Sequence, residues 1–111
     1  MELKDRFLKY VSYDTQSSEQ SRTFPSTDKQ LVLLRELADE MKALEMTEVT
    51  MDAHGYVMGT VPATPGCESA PVVGFIAHVD TSPDMSGKDV RPRTIEEYDG
   101  GDIVLNGQLT M

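Results

Sequence analysis

The sequence predicts an α/β fold in which two amino-terminal helices, a β-hairpin and a buried central strand form layers. Apolar residues recur at helical spacing as far as Leu44, and the period then shortens to that of strands around a turn. A continuously apolar run follows between Val72 and Ala77. Helices combined with a strand that is apolar on both faces are typical of a sheet covered by helices.

The two helices are predicted from their apolar stripes. Near the amino terminus, Leu3, Phe7 and Tyr10 are spaced by four and three residues. Residues 14–25 are rich in Ser, Thr and Gln and predict a loop. The second helix is expected to start near Ser26 or Thr27, with Thr27 and Gln30 spaced as a capping box. Its predicted core stripe is Leu31, Leu34, Leu37, Ala38, Met41 and Leu44.

The hairpin and the central strand follow in order. Residues 49–51 and 56–61 are predicted strands, joined by a turn in which Gly55 adopts a positive φ. Residues 63–70 form a predicted surface loop. Residues 72–80 are then predicted to be a strand buried on both faces, and residues 103–105 a short strand.

Composition restricts the classes of function. The chain has 111 residues, 39% hydrophobic and 26% charged, which is ordinary for one globular domain. Its 19 acidic and 10 basic residues give a net charge of -9, which repels phosphate backbones and anionic lipids, so we expect neither nucleic acid nor membrane as a partner. The lone Cys67 and an amino terminus without an apolar signal segment favour a cytoplasmic location.

The candidate site is the pair His78 and Asp80 at the end of the predicted central strand. Residues two apart in a strand face the same way, so both side chains should project together. A carboxylate beside a histidine fixes the ring tautomer that a metal needs. From spacing alone, a hydrogen-bonded structural histidine near a strand end is favoured over a metal ligand at His78. For His54, an exposed turn residue is favoured over a ligand.

Other constellations do not predict chemistry. Ser82 and Ser86 have no evident base and no nucleophile-elbow context. The residues Gly100-Gly101-Asp102 lack the phosphate-loop pattern and predict a turn. The adjacent carboxylates Glu96-Glu97 point apart in most conformations and predict a solvated pair.

A family resemblance adds what spacing cannot. The run Phe75-Ile76-Ala77-His78-Val79-Asp80-Thr81-Ser82-Pro83-Asp84 with Ser86-Gly87-Lys88 resembles the first metal motif of the peptidase T family, within the M20 metallopeptidases. The resemblance extends along the chain to Tyr10-Val11-Ser12, Asp14-Thr15-Gln16-Ser17, Pro25-Ser26-Thr27, Gly55-Tyr56-Val57-Met58, Pro62-Ala63 and Gly100-Gly101-Asp102-Ile103.

This resemblance implies that residues 1–111 are the amino-terminal part of an M20-type, zinc-exopeptidase-like catalytic domain, without its smaller lid or dimerisation domain. His78 would be a ligand of one of two zinc ions, and Asp80 a catalytic residue that orients His78. The complete protein would release the first residue of tripeptides with a metal-activated water. Its substrate would be a small peptide, and a homodimer is a possible assembly.

Two alternatives remain open. The first is another M20 hydrolase, such as a dipeptidase or a deacylase. The second is a truncated fragment without activity of its own, because one histidine cannot build a site for two zinc ions. One position departs from the family, which commonly has glycine just after the second helix where this chain has Glu45-Met46. The geometry of that helix end is therefore not implied by the resemblance.

Overall fold

A computed structural model describes residues 2–105 and 109–111 of the chain. Its elements are two helices and two hairpins, and both hairpins are antiparallel. The α/β prediction of two helices followed by a hairpin is confirmed, as is a short strand near residue 104. The elements are α1 (Leu3–Tyr10), α2 (Gln30–Ala43), β1 (Thr47–Met51), β2 (Val57–Thr60), β3 (Val104–Leu105) and β4 (Leu109–Thr110).

The small apolar core lies where α2 packs on both strands of the first hairpin. Leu33, Leu34 and Ala38 of α2 are buried, and Leu34 lies against the hairpin turn at Gly55. Each buried leucine stabilises the packing by roughly 1.5–3 kcal/mol. Leu44, the last residue of the predicted stripe, is exposed instead, because α2 has already ended at Ala43. No helix in the described part of the chain is long and apolar enough to cross a membrane.

The amino-terminal end of α2 differs from the predicted capping box. The helix begins at Gln30, and no side chain caps it. The Thr27 hydroxyl donates instead to the Gln16 carbonyl at 2.8 Å, and the Gln30 amide donates to Ser26 Oγ at 3.2 Å. The capping-box prediction is therefore wrong, because the preceding loop offered Thr27 a partner that local spacing does not reveal.

The carboxyl-terminal end of α2 forms a Schellman motif. The Met46 N–H donates to the Met41 carbonyl at 3.1 Å, and the Glu45 N–H donates to the Lys42 carbonyl at 2.9 Å. Glu45 has a φ of 60°, the left-handed conformation that this motif requires. The chain thus ends α2 in a conformation that favours glycine. A residue with a Cβ adopts this conformation at a cost of about 1–2 kcal/mol.

Polar contacts attach α1 to α2. Arg6 Nε lies 2.6 Å from Glu40 Oε1, the Tyr10 hydroxyl donates to Glu40 Oε2, and Lys9 pairs with Glu36. Burial and then the hydrogen bond to Glu40 raise the pKa of Tyr10 to about 12. The bond donated by Tyr10 lowers the pKa of the Glu40 carboxyl.

The apolar stripe of α1 is only partly used. Leu3 is 79% exposed and Phe7 is 62% exposed. The spacing that predicted α1 is confirmed by the helix, but the polar network to α2 holds it in place rather than burial of these two side chains.

The turn of the first hairpin is organised by Asp52. Its Oδ1 accepts the N–H groups of His54 and Tyr56, each at 2.9 Å. These bonds, with that of Tyr56 first, lower the pKa of Asp52. Gly55 has a φ of 88°, as predicted, and a Cβ there would lie 2.8 Å from Leu34 Cδ1. The turn therefore lies directly against α2.

The predicted buried central strand is not formed. Residues 72–80 are extended without strand pairing, and Val72, Phe75 and Ile76 are at least 96% exposed. The radius of gyration is 17.7 Å, against about 13 Å for a compact domain of this length. A strand that is apolar on both faces needs two neighbouring strands and covering helices, and residues 2–105 and 109–111 do not supply them.

We expect Tyr10→Phe to lower the free energy of unfolding by about 1 kcal/mol at neutral pH, because Glu40 loses a hydrogen bond. Since the folded-state pKa lies above the ordinary value of 10.0, this contribution is complete below pH 10.0 and is lost as the pH rises through about 12. Urea unfolding at several pH values measures it. Tyr13→Phe is the control, and an equal loss in both variants would contradict the prediction.

We expect Glu45→Gly to raise the free energy of unfolding by about 0.5–1 kcal/mol. Relief of the left-handed backbone gains roughly 1–2 kcal/mol, and the greater freedom of glycine in the unfolded chain removes part of that gain. Glu45→Ala is the matched control, because it removes the same charge but keeps Cβ. If alanine stabilises as much as glycine, the charge and not the backbone is responsible.

Candidate metal-binding site

His78 and Asp80 project to the same side of the extended segment, as their spacing predicts. His78 Nδ1 lies 3.0 Å from Asp80 Oδ1. Both groups are open to solvent, with the imidazole 84% and the carboxylate 49% exposed. The pair is therefore formed and accessible, although the strand that was expected to carry it is absent.

The contact between the two groups suits a metal ligand. When Nδ1 carries the proton and donates it to Asp80, Nε2 keeps its lone pair and can bind a cation. The carboxylate also restricts rotation of the ring and makes the imidazole a stronger electron-pair donor to a metal.

The donor set of the chain fits only part of a zinc site. Zinc takes at least three protein ligands in both structural and catalytic sites. Within residues 2–105 and 109–111, no group of three or more His, Cys, Asp or Glu residues could hold a metal ion. His78 could fill one ligand position with Asp80 beside it, and a complete zinc site would need further ligands.

His54 and the Gly100-Gly101 pair lie in the turns predicted for them, and Ser82 and Glu96 are exposed. His54 is an exposed residue of the first hairpin turn, with Nδ1 3.8 Å from Asp52 Oδ2. The Ser82 hydroxyl donates to Asp84 within a local turn. Asp99 Oδ1 accepts a hydrogen bond from the Gly101 N–H, and this bond closes a turn that contains Gly100 and Gly101. Glu96 is a solvated carboxylate, 3.3 Å from Lys4 Nζ.

A loop far away in sequence docks beside the pair. We call residues 14–17 the docking loop. The Thr81 N–H donates to the Thr15 carbonyl at 3.1 Å, and the Ser17 N–H donates to the Thr81 carbonyl at 2.9 Å. Gln16 and Thr81 thus form an isolated parallel bridge. The docking loop lies in the Ser, Thr and Gln-rich segment, whose polar composition predicted a loop but gave no sign of this contact.

Comparison with known proteins confirms the resemblance predicted from the motifs. The chain is 58% identical over 102 residues, or 92% of its length, to "Peptidase T" of Caldanaerobacter subterraneus subsp. tengcongensis. It is 53% identical over 107 residues, or 96% of its length, to "Peptidase T" of Geobacillus thermodenitrificans. It is 52% identical over 110 residues, or 99% of its length, to "Peptidase T" of Bacillus velezensis. No protein-family model matches the chain.

The chain spans about a quarter of each relative, with 25%, 26% and 27% of their respective lengths covered. The similarity therefore covers nearly all of this sequence but only a minor part of proteins that carry the peptidase T name. It is consistent with an amino-terminal fragment of such a protein.

Proposed function

We propose that the chain is the amino-terminal part of the catalytic domain of an M20-type, zinc-dependent aminopeptidase that releases the first residue of tripeptides. The observation that carries this proposal is the contact of His78 Nδ1 with Asp80 Oδ1 in a segment that resembles a metal motif. The peptidase T relatives, similar over 92–99% of the chain, support the same class of protein.

In this proposal His78 is a zinc ligand through Nε2. Asp80 accepts a hydrogen bond from Nδ1–H, holds the ring in one orientation and increases its basicity. The exposure of both groups lets a cation and further ligands approach from solvent. Zinc held by His78 and further ligands would supply a water of lowered pKa as the nucleophile and would polarise the scissile carbonyl. By resemblance, the second zinc, the bridging carboxylate and the general base require residues outside this chain.

A second candidate is that these 111 residues have no activity of their own. The observation that favours it is the absence, among the described residues, of a third metal donor near His78 and Asp80. The two candidates are compatible, because a ligand contributed by this chain can work only when the rest of the site is present.

The location and assembly belong to the same proposal. A cytoplasmic location is supported by Cys67, a free and exposed thiol that a reducing compartment keeps reduced. The substrate is a small peptide, and the complete protein is a candidate homodimer.

We expect His78→Ala, in a longer protein that contains this sequence, to lower tripeptide hydrolysis by at least about 100-fold and to lose one zinc. Removing a group that only supports a ligand already costs about 10–100-fold, and a ligand itself should cost more. Kinetics with tripeptides and metal analysis measure both effects. His54→Ala is the matched control, because it removes the other histidine of the chain from an exposed turn.

Near-normal turnover with both zinc ions retained in His78→Ala would show that the site assignment is wrong. If the parent protein does not release the first residue of tripeptides but cleaves dipeptides or acylated amino acids, another M20 hydrolase replaces the peptidase T proposal.

For the 111-residue chain by itself we expect no tripeptide hydrolysis and weak zinc binding, because His78 and Asp80 leave most of the coordination to water. Calorimetric titration with zinc chloride and a tripeptide assay measure these properties. Tight binding of one zinc per chain, or turnover by the chain alone, would contradict the prediction.

A further inference from the structure

We propose that the docking loop positions the His78–Asp80 pair, with Gln16 and Ser17 as its positioning residues. This inference rests on the proposed function, since it concerns how the same site is held. It goes further by assigning a role to a loop that the site chemistry does not include. Metal sites need their ligands held within about 0.5 Å of the productive geometry, and such precision requires supporting contacts.

Among the described residues, nothing attaches the backbone of the segment on the amino-terminal side of the pair. Within the described part of the chain, residues 71–80 form no backbone hydrogen bond to another segment. The first such attachment is at Thr81, directly after Asp80. The bridge at Thr81 is therefore the contact that relates the direction of the Asp80 side chain, and through it the His78 ring, to the folded helix-hairpin unit.

The bridge combines main-chain and side-chain bonds. Besides the two backbone bonds, the Ser17 hydroxyl donates to the Thr81 carbonyl at 2.8 Å. The side-chain amide of Gln16 donates through Nε2 to the Pro83 carbonyl at 2.9 Å. Thr81 and Pro83 are thus held through consecutive loop residues, so the segment that leaves the pair has a fixed path along the loop.

The docking loop is itself held from the core side. Thr15 is buried, with 3% of its surface exposed. The Gln16 carbonyl accepts the Thr27 hydroxyl, and Lys29 Nζ lies 2.9 Å from Asp14 Oδ2. The hydrogen bond from Lys29, and then that from the Gln16 N–H, lower the pKa of Asp14. Contacts therefore run from the start of α2 through the loop to Thr81.

The chain beyond the pair packs closely on the same loop. A Cβ at Gly87 would lie 2.8 Å from Asp14 Oδ1 and 3.4 Å from Thr81 Oγ1. Only glycine fits at this distance without a shift of its neighbours. The docking loop thus lies between α2 and the segment after the pair. It can therefore fix the position of that segment relative to α2.

The test is Gln16→Leu, which removes the amide donor at similar volume, with Gln20→Leu as the matched control. Gln20 is exposed and makes no hydrogen bond among the described residues. We expect Gln16→Leu to speed amide exchange at Thr81 about fivefold, as the loss of one hydrogen bond predicts. We also expect the nitrogen chemical shift of His78 Nδ1 to move toward that of a ring without a carboxylate partner. Gln20→Leu should change neither.

Ser17→Ala gives an independent variant, with Ser18→Ala as its control. Ser17 donates its hydroxyl to Thr81, whereas the Ser18 contact uses its backbone N–H, which alanine keeps. Both loop variants should move the Thr81 exchange rate and the His78 shift together. If the bridge opens while the His78 shift stays unchanged, or if exchange rises equally in the core of α2, the loop is only structural and the proposal is wrong.

Zinc separates this inference from the proposed function. Zinc chloride is added while the His78 ring signals are followed, and Gln16→Leu should weaken binding at His78 about fivefold. If zinc does not perturb His78 in the unaltered chain, the metal role is decided by the His78→Ala kinetics and metal content of the longer protein, and the metal-free readouts still decide whether the loop positions the pair. Unchanged zinc affinity in Gln16→Leu, with binding intact at His78, would overturn the positioning role.

Discussion

The parallel bridge between Gln16 and Thr81 is the contact on which the arrangement of the candidate site depends. It joins two polar segments that lie 64 residues apart through the Ser17 and Thr81 bonds. A contact over such a separation carries a large entropic cost of loop closure, and it forms here because several hydrogen bonds act together at a buried residue, Thr15. Without this contact, the His78–Asp80 pair would belong to an extended segment with no fixed relation to α2.

Helix α2 supports both the first hairpin and the docking loop. One face packs on the first hairpin, with Leu34 against Gly55 and Met41 against Gly59. The residues just before the helix hold the docking loop through Thr27 and Lys29. Acidic side chains of the same helix also bind α1. One helix with a small apolar core therefore holds the hairpin, the docking loop and α1. Most of these attachments are polar, which fits a unit whose buried apolar area is limited.

The exposed apolar segment and the incomplete donor set have the same physical origin. Residues 72–76 carry side chains suited to a strand covered on both faces, and His78 as the proposed zinc ligand would need further ligands. Both need partners that the described residues do not provide. The chain spans about a quarter of the length of its peptidase T relatives.

The sequence alone determined the features that depend on near neighbours. Helical spacing predicted α1 and α2, the turn residues predicted the hairpin with a positive φ at Gly55, and the two-residue period predicted that His78 and Asp80 project together. Tertiary structure decided the partner of Thr27, the exposure of Phe75 and the docking of residues 14–17 beside Thr81. The reason is that a local pattern records the surroundings a residue is suited to, whereas the partner it meets depends on segments distant in the chain and on whether they are present.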